Sequence, residues 1–345
     1  MSNRNPSCIE DLANELWLEI FDYLDWINLY SALYGINKRI NQLLMNIQTL
    51  SIYSSYLINY LNTLYLCFTE FPIEKFQYIQ HFQLIYDYPY NESLDIAKYF
   101  HSFPSLISLI IDANSDNYDR DTNQLITIIF HQHCHFLQYL HLQGNMFDKP
   151  LPINEHVCTF YFPSLVHIHV NKLPFYMGMQ LLDQCIHLRS FSAIFYNYPS
   201  NDNVIALSNE MPERILLGLP KLTKLGLGED NFYEKESSST FLEFFLPICP
   251  NLRTFNFNIH FHDYSVNHDK ILDPNWWEYI LASHSYLKRI FLRLNWWIRD
   301  IRNDGFSKIR RFQASPFFTQ FNVKIDYNTR SEFLRFKEYD LYIKN

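Results

Sequence analysis

The chain has 345 residues, 48% of them hydrophobic and 19% charged, which excludes a disordered chain and exceeds one small core. Net charge is −8, spread unevenly: from Lys288 onward 13 Lys/Arg face 6 Asp/Glu, and the remainder carries 15 basic against 30 acidic residues. An acidic body with a basic end argues against a general nucleic-acid binder. The 7 glycines argue against Gly-rich phosphate loops, and no apolar run approaches the length of a membrane span.

The chain opens on an amphipathic stretch, Leu12–Leu24. Leu12, Leu16, Ile20 and Leu24 step along one stripe, with Phe21 alongside, and Glu15, Glu19 and Asp22 fall on the other side. This predicts a helix whose stripe needs a partner, because one short helix cannot bury it. A second short helix comes next, capped by Asn28 and stopped at Gly35. A third runs over Ile36–Leu44. Residues 1–8 are polar and form no signal peptide, and the six cysteines are scattered without a Cys-x-x-Cys pair. Both point to a reducing compartment, cytosol or nucleus.

The order Leu12-Ala13-x-Glu15-Leu16, Ile20-Phe21-x-Tyr23-Leu24, Asn28-Leu29 and Asn37-Lys38-Arg39 resembles an F-box. The family pattern opens Leu-Pro, where this chain has Ala13, and its usual aromatic after the basic pair is Ile40 here. The resemblance implies a small three-helix F-box domain over residues 1–46 that docks on a Skp-type adaptor and, through it, a cullin. It implies that Leu12, Ala13, Glu15, Leu16, Ile20, Phe21, Leu24 and Leu29 form the adaptor-binding face. The plainer reading of the same stripe is a cap on the repeats behind it.

Residues 47–345 repeat the phrase apolar-x-x-apolar-x-apolar. Copies begin at Ile47, Ile79, Leu106, Leu137, Leu165, Leu188, Leu222, Leu252 and Leu287, about every 30 residues, with a weaker tenth at Phe318/Phe321/Val323. The last two apolar positions of each phrase alternate with period two, as in a strand burying one face. Helical stretches precede several copies. One spans Leu125 to Leu137 behind an Asp121/Gln124 capping box, one opens at Thr240/Glu243, and one starts at Asp273-Pro274. Three residues before each first apolar residue lies a mostly apolar slot: Phe103, Cys134, Phe162, Cys185, Leu219, Cys249 and His284. A proline often comes directly after it and ends the helix. The acidic stretch from Glu229 through Ser239 reads as a solvated loop.

The phrase resembles the leucine-rich-repeat core. The implied fold class is α/β, a leucine-rich-repeat horseshoe of helix-strand units with a parallel concave sheet, preceded by the F-box and closed by a C-terminal cap that includes Trp296-Trp297-Ile298.

Residues that flank the buried strand positions form the candidate target-binding surface: Tyr139, His141, His167, His169, Asn256, Arg289, Phe291 and Arg293. Arg289 and Arg293, four apart on one strand face, suit an acidic or phosphorylated segment because guanidinium forks bind oxyanions. Against this stands an ordinary solvated charged face, as for Lys288, Arg299, Arg302, Arg310 and Arg311. Histidines (His131, His133, His135, His260 and His262 among them) lack the convergent spacing of a zinc site, so no metal is expected.

No hydrolase, zincin, Walker or dinucleotide motif is present. The expectation is therefore a non-enzyme without cofactor: the substrate-receptor subunit of a cullin–RING ubiquitin ligase, as the resemblance implies. The alternatives are a leucine-rich-repeat scaffold with no ligase role, and an enzyme with an unmarked site. Neither nucleic acid nor membrane is an expected partner.

Overall fold

The computed structural model describes residues 11–24, 26–54, 77–86, 103–113, 136–143, 162–196, 215, 217–229, 237–261, 270–298, 305–320, 324–333 and 336–344. The helix expected over Leu125–Leu137, its Asp121/Gln124 box, His131, His133, Cys134, His135, His262, Arg299 and Arg302 lie outside them. The chain forms two compact units, one of Met1–Lys149 with Ile153–Phe162, the other of Pro150–Pro152 with Pro163–Asn345. The three opening helices thus share a unit with the first four strands, where the sequence suggests a boundary at residue 46.

The first unit begins with α1 (Asn14–Asp22), α2 (Trp26–Leu33) and α3 (Lys38–Met45). Helix α2 starts two residues before Asn28, which therefore sits inside its first turn and does not cap it. Gly35 does stop it, at φ +89°, a left-handed conformation that suits glycine. Asn37 then caps α3 by accepting a hydrogen bond from Ile40 N at 2.8 Å. Four parallel strands come next: β1 (Thr49–Ser54), β2 (His81–Tyr86), β3 (Ser108–Ala113) and β4 (Tyr139–Gln143).

The second unit carries five parallel strands: β5 (His167–Pro174), β6 (Ser190–Tyr196), β7 (Lys224–Glu229), β8 (Thr254–Phe261) and β9 (Arg289–Ile298). Helices α4 (Phe175–Gln184), α5 (Ser237–Phe245) and α6 (Pro274–Leu281) connect them. Both units are α/β with parallel sheet.

All nine of these strands begin two residues after the first apolar residue of a phrase. Every phrase position whose side chain is described is buried. Equivalent positions also meet in register. Leu50, Phe82, Leu109 and Leu140 align across the first unit, and Ile168, Phe191, Leu225, Phe255 and Ile290 across the second. Neither a strand nor its helix buries its apolar face alone, so the aligned rows form each unit's core.

The turns ahead of β3, β6, β7, β8 and β9 share one pattern. The slot carbonyl accepts from the first apolar N–H of the phrase, as in Cys185 O from Leu188 N at 3.0 Å and Cys249 O from Leu252 N at 3.2 Å. This is a β-turn, and Pro104, Pro220 and Pro250 stand where proline presets its φ. All described slot residues are buried. His284 enters that apolar slot because its Nε2 donates to Leu246 O at 2.9 Å.

Three expectations are corrected. Ser237–Ser239 form the first turn of α5, with Ser239 buried, and are not a solvated loop. Thr240 is consequently inside that helix and does not cap it. The tenth phrase opens in a helix: after α7 (Gly305–Ala314), Phe318 lies in a short helix α8 (Pro316–Gln320) and is buried against Phe312 and Phe317, while Phe321 and Val323 lie outside the described residues. Strands β10 (Lys324–Phe333) and β11 (Phe336–Lys344) then form an antiparallel hairpin, with β11 antiparallel to β9. Trp296-Trp297-Ile298 belong to the far end of β9, which is paired there with β11. The expected Asp273-Pro274 start is present. Asp273 caps α6 through Asn275 N at 3.1 Å and also accepts from Arg311 of α7 at 2.8 Å.

Candidate functional site

The opening helix buries the line next to the stripe read in its sequence. Trp17 and Phe21, four residues apart, are its buried residues, with ring centroids 5.9 Å apart. They share the interior of the helical region with Leu29, Tyr30, Ile40, Leu44 and Ile47. Leu16 is 46% exposed, Leu18 41% and Leu24 39%, while Leu12 and Ile20 are half-buried. Tyr23 and Ile36 are exposed beside them, as are Ala13 and Glu15. The helix offers two adjoining apolar lines, and the aromatic one, with more surface to bury, has gone inside. Of the eight residues expected on the adaptor face, six keep solvent-accessible surface, and Phe21 and Leu29 belong to the interior.

Asn37-Lys38-Arg39 has a structural reason as well. Arg39 Nε donates to Asn14 Oδ1 at 2.8 Å, and its second amino group donates to Leu12 O. One guanidinium therefore ties the start of α3 to the start of α1, so the exposed side of α1 is held on a fixed support. Ile40, in the place of the usual aromatic, is fully buried. Tyr30, stacked on Tyr34 at 4.2 Å, has its pKa raised by burial and by the neighbouring hydroxyl. A groove of about 440 Å³ runs between the helices and the first strand, lined by Leu18, Phe21, Leu24, Leu29, Ile47 and Leu50 among others.

On the strands, the second candidate surface is divided between the units. In the first, Tyr139 and His141 are half-buried on β4, where His141 Nε2 lies 2.7 Å from Gln143 Oε1 and Tyr139 Oη lies 3.4 Å from His141 Nδ1. In the second, His167 and His169 are half-buried on β5, and Asn256 is exposed on β8. Arg289 and Arg293 are exposed and Phe291 half-buried on β9, alternating with buried Ile290, Leu292 and Leu294. Arg311, paired with Asp273, serves the α6–α7 junction. The His167 pKa is lowered, first by burial and then by the positive charges of Lys224 and Arg189. Sequence reasoning does not single out Arg189 or Arg253. Each falls where a strand starts, a position that the repeat phrase locates but does not rank.

On β7, a Cβ on Gly226 would stand 2.6 Å from Ser192 Oγ, and one on Gly228 2.8 Å from Ile194 Cγ1. The neighbouring strand's side chains fill the space over the two glycines, so side chains there would crowd them. Among the described residues, no group of three or more His, Cys, Asp or Glu is arranged to hold a metal. No described helix is long and apolar enough to cross a membrane.

These features define an α/β chain of parallel strands with a helical front piece that exposes aliphatic side chains. No protein-family model matches the chain, and no curated protein resembles it significantly.

Proposed function

We propose that the chain is a substrate-receptor subunit of a cullin–RING ubiquitin ligase. Helices α1–α3 act as an F-box that engages a Skp-type adaptor, and the strand faces present a protein target. The observation that carries the reading is the aliphatic line of α1, with Leu16 46% exposed and Ile20 half-buried, left in contact with solvent although the helix buries a line of its own in Trp17 and Phe21. An amphipathic helix whose second apolar line stays exposed suits a groove on another protein. The order Leu12-Ala13, Glu15-Leu16, Ile20-Phe21 and Asn37-Lys38-Arg39 supports the family assignment. Such a subunit holds target and conjugating enzyme on one scaffold and so raises their effective concentration, with no catalytic residue of its own.

A pull-down tests it. Wild type should retain adaptor and cullin, and Leu16→Asp with Ile20→Asp should lose both while its circular dichroism and melting remain those of wild type. Absence of adaptor from the wild-type pull-down would sink the reading.

One observation favours a second reading, an interaction scaffold whose helices only cap the strands. Leu29 of α2, Ile47 and Leu50 of β1 are all buried, and α2 packs against β1. In that case the double mutant retains every partner that wild type retains.

A further inference from the structure

In the second unit, each strand from β6 to β9 starts on a cation. Arg189 immediately precedes β6, Lys224 is the first residue of β7, Arg253 immediately precedes β8, and Lys288-Arg289 bracket the start of β9. All five side chains are exposed.

Backbone hydrogen bonds fix the register of these starts, with Arg189, Arg253 and Lys288 one residue ahead of the row that Lys224 and Arg289 share. Arg189 O accepts from both Thr223 N and Lys224 N, at 2.9 and 3.0 Å. Thr223 O accepts from Arg253 N and Thr254 N, and Arg253 O from Lys288 N and Arg289 N, at 2.8 and 3.0 Å in each case. Adjacent strands lie about 4.8 Å apart, so the row from Arg189 to Arg289 spans roughly 14 Å.

The row has no counter-charge among the described residues. Of the acidic residues of this unit whose side chains are described, Glu243 is taken by Lys270 at 2.7 Å and by Trp276 Nε1 at 2.6 Å, and Asp273 by Arg311. Asp183 and Glu278 stand on α4 and α6, and none of the described carboxylates pairs with the strand-start cations. The His167 pKa is lowered first by burial, and the nearby positive charges of Lys224 and Arg189 lower it further. Four or five like charges on one edge repel one another, and an anion laid along them relieves that repulsion.

We propose that this edge binds an acidic segment of a partner protein, lying across β6–β9, with Arg189, Lys224, Arg253 and Arg289 holding its carboxylates or phosphates. An extended segment rises about 3.4 Å per residue, so roughly five residues match the row. Arginine forks suit oxyanions, and Ser190 and Thr254 stand at the same strand starts, while the Thr223 hydroxyl donates to Arg189 O at 3.1 Å. A protein segment fits better than single-stranded nucleic acid because the two register rows that carry the cations, Arg189/Thr223/Arg253/Lys288 and Ser190/Lys224/Thr254/Arg289, hold no aromatic side chain for base stacking, and the whole chain carries −8. The inference rests on the strands being the target-binding part of the proposed receptor, and it names the class of target.

The test is fluorescence anisotropy on the full chain with three probes: a pentaglutamate peptide, the same peptide carrying glutamine in place of glutamate, and an oligothymidine of matched charge. The pentaglutamate peptide should bind, weaken as salt rises, and lose about tenfold in Arg189→Gln with Lys224→Gln, and again in Arg253→Gln with Arg289→Gln. Arg310→Gln, exposed on α7, should bind as wild type does. Unchanged affinity in both double variants, equal binding of the glutamine peptide, or tighter binding of oligothymidine would each overturn the inference. Peptide binding by a chain that retains no adaptor leaves this surface standing and removes the ligase reading. Adaptor binding without peptide binding removes this surface alone.

Discussion

Leu16 and Trp17 are chain neighbours about 100° apart around α1, and they differ sharply in exposure: Leu16 is 46% exposed and Trp17 3%. Their substitutions should separate docking from folding. Leu16→Asp should change stability by less than about 0.5 kcal/mol, as exposed positions do, while abolishing adaptor capture. Trp17→Ala should cost about 3 kcal/mol or more in chemical denaturation, because it empties a packed site. Trp17→Phe should cost much less, since it deletes a buried Nε1 that finds no hydrogen-bond partner among the described residues. Equal losses from Leu16→Asp and Trp17→Ala would mean that the helix is packed on both sides.

Ala13 offers a gain. It precedes α1 with φ −61° and ψ 152°, and its side chain makes no capping bond. Proline prefers this φ, so Ala13→Pro should stabilise by about 0.4–1 kcal/mol through the unfolded chain. On the proposed function it also restores the Leu-Pro opening and should tighten adaptor binding. A lower melting temperature would show that the Ala13 N–H or the preceding backbone cannot accept the ring.

Gly178 tests the packing of α4 on β6. A Cβ there would lie 2.2 Å from Cε1 of Phe195, which is fully buried and packed edge-on against Phe175 and Phe241. The ring has no free space to move into, so Gly178→Ala should destabilise by about 1–3 kcal/mol despite its higher helix propensity. A neutral or stabilising result would mean that the helix can lift from the strand.

His167 sets a pH dependence whose sign is fixed by its lowered pKa. The unfolded chain holds the proton up to the ordinary value of 6.5, and the folded chain releases it sooner. Stability from this group is therefore complete above 6.5 and declines as pH falls below it toward the folded pKa. Lys224→Gln should raise the His167 pKa in an NMR titration, though not fully to 6.5, because burial is the larger cause. No movement would show that Lys224 does not reach it.

Cys249 should be inert in the native protein. It is fully buried, its Sγ donates to Phe245 O at 3.6 Å, and burial pushes its thiol pKa up. Alkylation at mildly alkaline pH, read by mass spectrometry, should label Cys249 only after unfolding. Rapid native labelling would contradict its place in the turn slot.

The strands are legible because their pattern is local. Leu106/Leu109/Ile111 and Leu252/Phe255/Phe257 each encode a turn, a strand and the buried face of that strand within six residues, and the slot before them is apolar for the same reason. Asp273-Pro274 is legible too, since a cap and an N1 proline act within one turn. The tenth phrase misleads because apolar residues three apart suit a helix as well as a turn and strand, and α8 buries Phe318 against Phe312 and Phe317.

By itself, then, the sequence determined where chain direction changes and which side of each strand is apolar, because period-two burial and turn chemistry are written in neighbouring residues. Tertiary structure alone decided which of two apolar lines on α1 goes inside, because Leu16 and Trp17 compete for one interior and the larger ring gains more by burial. It also decided that the hairpin of β10 and β11 runs antiparallel beside β9, and that Arg189, Lys224, Arg253 and Arg289 come together at neighbouring strand starts. These cations are some 30 residues apart in sequence, and only the backbone ladder makes them one row.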